Sequence, residues 1–265
     1  MPFTPNYDND RYFVPDEDGK LIPFSRFWKN VEQPSTIPKS PNEYRFECVY
    51  DHRFKNQLSN QNVWSRFSNS ALLMDRWHYT HSSEVMPKYV FGIFHPDGYD
   101  MSFSGQSGVI MYGRPAMNHI YMQYCDDPDG IIELRRMVLV NATPKNTESW
   151  FLAKSLKWLA DNTGETIVVT YADPVQGHTG NVYKACNFDY DGLSANTVVV
   201  ELPDGHFVHD RLLRCRTKHG SYTQRALELR ELLQSGKARY LERPSKNRFH
   251  YHLDKSYSCK ACSTR

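Results

Sequence analysis

The residues with chemistry to offer gather in a few short stretches. Asp173-Pro-Val-Gln-Gly-His-Thr-Gly180 puts an acid directly after an apolar run and an imidazole at 178, close enough to reach the same point. Asp173 in that position is a base or a metal ligand, or else the cap of the next turn; His178 handles a proton or holds the loop by a hydrogen bond. Gly177 and Gly180 supply the backbone freedom such a turn needs. Arg135, beside Glu133, is suited to bidentate contact with an anion, or to an ion pair with that glutamate. Ser149, at a helix start, either donates to a ligand phosphate or caps the helix. Trp77-His-Tyr-Thr-His81 collects nitrogen and oxygen donors. His78 and Tyr79 with Asp173 make a set suited to a divalent iron-type ion, against the plainer reading of His78 as a surface ring. Cys259-x-x-Cys262, with His250 and His252 upstream, carries half of a zinc motif, and a frayed terminus is the competing reading.

These residues need elements to hold them. Tyr89–Phe94 and Gly108–Gly113 are β-rich runs bounded by Gly, Pro and Asp, and read as strands. Ile131–Val140 is the strongest strand; strict alternation predicts Ile132, Leu134, Val138 and Val140 on one face, with Glu133, Arg135, Met137 and Leu139 on the other. After the loop 141–147 comes a helix over about 147–162, its Leu152, Leu156 and Leu159 at helical spacing, with Asn146 or Thr147 as cap. Thr166–Tyr171 reads as a buried parallel strand, and a short helix follows over 181–186. Asn187–Gly192 and Thr197–Leu202 read as paired strands, residues 222–235 as a helix, and Phe249–Leu253 as a last strand. A helix joining two parallel strands leaves a crevice at their carboxyl ends, so the sequence places 141–148 and 171–180 at one mouth. Three segments result: an N-terminal extension over 1–70, largely irregular and packed through Phe24, Phe27 and Trp28; an α/β core over 71–203; and a basic segment over 204–265.

Charge is distributed unevenly. The whole chain carries 32 Lys and Arg against 30 Asp and Glu, yet residues 206–265 hold 14 against 5. A basic end on an acidic body is the footprint of a polyanion partner. Arg211, Arg214, Arg216, Lys218, Arg225, Lys246 and Arg248 are the candidate contacts to duplex phosphates. No apolar run approaches the ~18 residues of a membrane span, and no secretory leader is visible. The scattered cysteines point away from a disulfide scaffold and fit a cytoplasmic protein, in the host cytoplasm if phage-encoded.

The order strand 131–140, helix 147–162, strand 166–171 and then Val182-Tyr-Lys-Ala-Cys-Asn-Phe188 resembles the Gcn5-related N-acetyltransferase (GNAT) superfamily. More narrowly, Glu133-Leu-Arg-Arg136, Glu148-Ser-Trp150 and the string Tyr171-Ala-Asp-Pro-x-x-Gly-His-x-Gly180-x-x-Tyr183 resemble the Mom family of phage DNA-modification proteins. The likeness covers about residues 75–203, includes His78-Tyr79, and touches Lys246-x-Arg248-Phe at the basic end. It implies a mixed, mostly antiparallel sheet with a β-α-β acyltransferase core. It implies an enzyme that modifies the exocyclic N6 of adenine in double-stranded DNA with a methylcarbamoyl-type group, protecting that DNA from restriction. An acetyl-coenzyme A or related acyl donor is implied, with Tyr183 protonating the departing thiolate. Lys145, Asn146, Ser149 and Arg135 are then the donor-binding residues, and Tyr183, Asp173, Arg135 and His178 the catalytic ones. A divalent iron at His78, Tyr79 and Asp173 belongs to the same implication. The loop Asn141-Ala-Thr-Pro-Lys-Asn-Thr147 departs from the superfamily pattern, since it lacks the glycines that usually free backbone N–H groups for a pyrophosphate. Acetyl transfer to another amine, and DNA binding without catalysis on the same scaffold, are the alternatives.

Overall fold

The computed structural model describes residues 13–15, 21–23, 37–54, 70, 71, 73, 74, 78, 87–96, 105–117, 119–205 and 207–254. Phe24, Phe27, Trp28, Tyr79, Cys259 and Cys262 lie outside these residues. Two short strands near the N-terminus, β1 (Phe13–Pro15) and β2 (Leu21–Pro23), pair antiparallel. The chain divides into two compact units, the first made of residues 1–170, 181–190 and 249–265, the second of 171–180 and 191–248.

The seven-stranded sheet on which the first unit is built includes β3 (Arg45–Asp51), β4 (Pro87–Phe94), β5 (Gln106–Gly113), β6 (Ile131–Leu139) and β7 (Ile167–Ala172). Its remaining strands are β8 (Asp189–Leu193) and β12 (Asn247–His252), and the spatial order is β3-β4-β5-β6-β7-β12-β8. From β3 to β6 the pairing is antiparallel, and β6 with β7 is parallel. Helix α1 (Thr147–Asn162) makes the connection between those two. This is the mixed, mostly antiparallel α/β sheet with a β-α-β core that the GNAT resemblance implies. Strand β3 falls where the sequence has no clear periodicity, and adds an edge strand from within the N-terminal extension.

Helix α1 buries Phe151, Leu152, Ser155, Leu156 and Leu159, the spacing of one helical face. The Tyr112 phenol from β5 meets the Ser155 hydroxyl at 2.8 Å, so the polar atom this burial strands is satisfied. Phe91 stands between Tyr112 and Trp158, at 5.8 and 5.2 Å between ring centres. The opposite sheet face packs Val90, Val109, Met111, Val138 and Val140 with Leu73 and Met74.

Strict alternation along β6 is broken. Leu134 lies opposite Tyr112, but Arg136 lies opposite Met111, so Arg135 is an extra residue in a β-bulge. Tyr112 and Met111 point to opposite faces, and their partners follow them. Ile132 and Leu134 therefore share the α1 face, while Val138 and Val140 belong to the other core. The expectation that all four share one face fails because the inserted residue reverses the alternation after it.

At the centre of the second unit is a three-stranded antiparallel sheet, with β9 (Thr197–Glu201) between β10 (Phe207–His209) and β11 (Arg239–Arg243). Helix α3 (Gln224–Gln234) starts at Thr223, whose hydroxyl accepts the Ala226 N–H at 3.3 Å. Val200, Leu202, Leu213, Leu229 and Ala238 form its core. The expected pairing of the strands around 187–192 and 197–202 is corrected: β8 and β9 lie in different sheets, because β8 takes β12 as its neighbour while β9 pairs with β10 and β11. Among the described residues, no helix is long and apolar enough to cross a membrane.

Candidate functional site

Two features of the first unit open its sheet. The parallel ladder between β6 and β7 ends at Leu134↔Thr170, although β6 continues to Leu139. The bulge at Arg135 sits at that point, so beyond it the β7-side backbone groups of β6 have no ladder partner among the described residues. An extended backbone edge of this kind takes an extended ligand by strand-like hydrogen bonds. Arg135 is half-buried and its guanidinium reaches the Arg114 carbonyl at 3.5 Å. Glu133, buried on the same strand, accepts the Ala116 N–H at 2.7 Å.

A groove of about 700 Å³ runs along one side of α1. At its upper end stand Lys145, Asn146 and Ser149, three of the four residues expected to hold a donor; the fourth, Arg135, does not line it. Asn146 is the N-cap of α1 in the left-handed region (φ 68°) and makes no side-chain capping bond, so the expected cap is absent. Thr147 does not replace it: its hydroxyl donates backward to the Pro144 carbonyl at 2.6 Å. The helix start therefore keeps uncapped N–H groups, which attract an anion together with the helix dipole and the Lys145 charge. Glu148 is exposed in the first turn and does not line the groove.

Small residues Ala153 and Ala160 floor the groove, and Cys186 and Tyr251 wall it. Sequence reasoning passed over Cys186. Its thiol donates to the Ser149 carbonyl at 3.3 Å and burial pushes its pKa up to about 11, so it is a protonated wall and not a nucleophile. Trp150, inside the Glu148-Ser-Trp150 motif, donates its indole N–H to Asn42 at 2.7 Å; no local pattern points to Asn42.

Tyr183 lies in the short helix α2 (Asn181–Ala185), half-buried, its ring 5.6 Å from Phe188 and 5.4 Å from Phe249. Its carbonyl accepts the N–H groups of Cys186 and Phe188, closing the turn that leads into β8. His78 is buried in the same unit.

In the second unit, Asp173 is 3% exposed and caps the turn at Pro174–Gln176 by accepting the Val175 N–H at 3.1 Å. Its other oxygen lies 3.5 Å from the Lys246 ammonium. His178 is exposed and tied to Asp173 through the backbone. Gly177 and Gly180 have φ of 75° and 80°, as the loop reading requires. Asp173 thus already holds a turn and faces a cation, and His78 belongs to the other unit while Tyr79 is not described.

The basic residues of this unit differ in how far they are engaged. Arg214 is paired with Asp210, and Arg225 lies 3.4 Å from Glu228. Arg216 stacks on Tyr222 at 4.4 Å and donates to the Gly220 carbonyl, which holds the turn carrying exposed Lys218. Arg211 is exposed, with a contact to the His209 ring at 3.4 Å. Arg248 is half-buried.

Residues 65–264 match the Mom protein family, a longer span than the motifs alone outline. No curated protein sequence matches the chain. Among solved structures, the ribosomal-protein-S5-alanine acetyltransferase from Vibrio fischeri is similar at 8% identity and a TM-score of 0.36, over 64% of each chain. The present chain therefore spans a little under two thirds of that protein. The spermidine N-acetyltransferase from Vibrio cholerae, in complex with CoA and spermine, is similar at 10% identity and a TM-score of 0.37, over 80% of this chain and 96% of that one.

Proposed function

The chain belongs to the Mom protein family, and from that premise we propose that it transfers an acyl-type group to the exocyclic N6 of adenine in duplex DNA. The modified DNA then escapes restriction. The observation that carries the acyl-transfer part is the conjunction within the first unit: a groove at an uncapped helix start with Lys145, and a bulge at Arg135 where β6 loses its partner. Those features suit a donor with an anionic end and an extended amide-bearing arm, which is the chemistry of an acyl-coenzyme A.

Lys145 and Asn146 would hold the anionic end with one charge and the open N–H groups, and the Ser149 hydroxyl, which donates to the Asn146 carbonyl at 3.1 Å, would turn to join them. Arg135 would order the extended arm near the bulge. When bound, such a donor supplies an activated acyl carbon for the amine to attack. Tyr183 holds at its Oη the proton that a leaving thiolate takes up, since a phenol of pKa ~10 and a thiol of ~8.5 are well matched. Asp173 or His178 takes the proton lost by N6. An adenine N6 inside a duplex is out of reach of such groups, so the base must be extruded. Arg211, Arg216 and Lys218 lead the phosphate contacts that hold the duplex, with Arg214, Arg225, Lys246 and Arg248 adding to the same field. A divalent iron at His78, Tyr79 and Asp173 is a separate proposal, and no step described here depends on it.

The test is mass spectrometry of nucleosides from the DNA of cells expressing the chain. A new, more polar deoxyadenosine is expected, with resistance to some restriction enzymes. Unchanged nucleosides alongside abundant folded protein would overturn the reading.

A further inference from the structure

We infer that Asp189, His250 and His252 form a site for one divalent ion of the zinc type. Strands β8 and β12 are neighbours in the seven-stranded sheet. Side chains along β12 alternate, so Phe249 and Tyr251 go to one face and His250 and His252 to the other. Phe249 and Tyr251 meet Tyr183, Tyr190 and Phe188 at 5.2–5.4 Å. On the histidine side, one ligand atom from each of Asp189, His250 and His252 lies within 4.8 Å of the other two. His250 Nε2 is 3.8 Å from Asp189 Oδ2, and the two imidazole rings are 5.1 Å apart.

The surroundings suit a metal as well as the donors do. His250 is 1% exposed and packs against the Tyr124 ring at 5.2 Å, which fixes one ligand in a dry setting. The Asp189 side chain is 56% exposed, giving an ion a way in and room for water as a fourth ligand. Two imidazole nitrogens and a carboxylate oxygen are a zinc-type donor set. Zinc with ligands at ~2.0–2.2 Å brings such atoms to roughly 3.3 Å from one another, a closure that rotation of the exposed aspartate and of His252 supplies. A His250–Asp189 ion pair accounts for two of the three groups; the convergence of a second imidazole is what a shared cation explains.

Position in the chain gives the site a role. The chain passes from the first unit to the second after Tyr190 and returns at Phe249. The ion would therefore tie together the residues flanking both crossings, closing the intervening segment as a covalent cross-link would.

The experiment uses the full chain, stripped with a chelator and then titrated with Zn²⁺ and, for its visible spectrum, Co²⁺. Wild type should take up one equivalent at this site and melt at a higher temperature when loaded. Asp189→Asn and His252→Gln spare the buried His250. Each should weaken binding more than ~100-fold, since loss even of an outer-shell partner costs about 10–100-fold. A Cys259→Ser/Cys262→Ser variant should bind as wild type does, with no thiolate charge-transfer band in the cobalt form. Failure of wild type to bind, unaltered affinity in both the Asp189 and His252 variants, or loss of binding in the cysteine variant would each overturn the assignment.

Discussion

Tyr183→Phe separates chemistry from packing more cleanly than any other change in the first unit. Two ring contacts, to Phe188 at 5.6 Å and Phe249 at 5.4 Å, belong to the ring and survive the substitution. The turn bonds to Cys186 and Phe188 use the Tyr183 carbonyl and survive too. Only the hydroxyl is lost, and a hydrogen bond is worth about 0.5–1.5 kcal/mol net. Loss of a general acid costs about 10²–10⁴ in rate, or ~2.7–5.5 kcal/mol of barrier. Rate and stability should therefore part by about eightfold or more. Single-turnover modification of a duplex oligonucleotide, read by nucleoside mass spectrometry, gives the first quantity and a urea melt the second. Tyr183→Leu, which removes the ring contacts, should melt distinctly earlier than Tyr183→Phe. If Tyr183→Phe keeps more than about half of wild-type rate, the phenol is no acid and the residue serves packing alone.

Asp173→Asn keeps an oxygen for the Val175 N–H, whereas Asp173→Ala removes the cap and should cost about 0.5–2 kcal/mol. If the carboxylate is the base, both variants lose modification despite that difference in stability; an active Asp173→Asn would leave it a cap only. Replacing Arg216 and Lys218 together should lower the salt slope of duplex affinity by ~2, and adding Arg214 should lower it by less than one further unit because Asp210 already holds it. Affinities at several salt concentrations check this, and an unaltered slope would remove the turn from the DNA surface. Glu165 is buried, which by itself would raise its pKa, but the Thr163 hydroxyl and the Lys88 ammonium at 3.0 Å outweigh burial and hold it below 4.5. Because the folded value is the lower one, its stabilisation is present above pH 4.5 and is lost as pH falls through the folded value. Glu165→Gln should abolish that part of the acid sensitivity and, by taking the charged partner from half-buried Lys88 while keeping an acceptor for the Tyr89 hydroxyl, cost about 1–3 kcal/mol in urea melts at neutral pH.

Local pattern made the β-α-β core legible, because each of its elements is long and strongly periodic. Helix α1 and β4 to β7 fall where apolar spacing puts them. What pattern missed depends on pairing. The bulge at Arg135 leaves Ile131–Val140 looking like an unbroken alternating strand, and only the register against Met111 and Tyr112 reveals the extra residue. Strands β8 and β9 are each credible halves of a hairpin, yet they take different partners because β12 and β11 come from much later in the chain. The same limit applies to the site. The resemblance pointed to Lys145, Asn146 and Ser149 around one helix start, whereas Cys186, Asn42 and Tyr251 reach the groove only through tertiary packing. His250 and His252 stood out beside Cys259 and Cys262, while Asp189, far away in sequence, is brought to them by sheet order.

Three departures from an economical fold meet within a short stretch of the first unit. A bulge interrupts β6 at Arg135, the parallel ladder stops at Leu134 while the strand runs on, and α1 begins at a left-handed Asn146 with no side-chain cap. Each has a cheap remedy. Deleting one residue would restore alternation, and Asn146, itself a favoured capping residue, would cap the helix for about 1 kcal/mol from an extended backbone in place of its left-handed one. Elsewhere the same chain uses such remedies: Thr223 caps α3, Asp127 and Asp173 cap their turns, and the buried Tyr112 phenol is satisfied by Ser155. Capping chemistry is thus available to this sequence and is withheld at the mouth of the groove. Open N–H groups and an unpaired strand edge lower stability in the empty protein and become hydrogen bonds when a ligand with anionic and amide groups arrives. A left-handed, uncapped helix start beside an interrupted strand is the pattern of a site kept ready for such a ligand. An Asn146→Asp variant tests the point, since a carboxylate at the helix start complements the dipole and should raise the melting temperature slightly, while its charge weakens donor binding. A variant stabilised with unchanged donor affinity would show that the bare helix start serves no ligand.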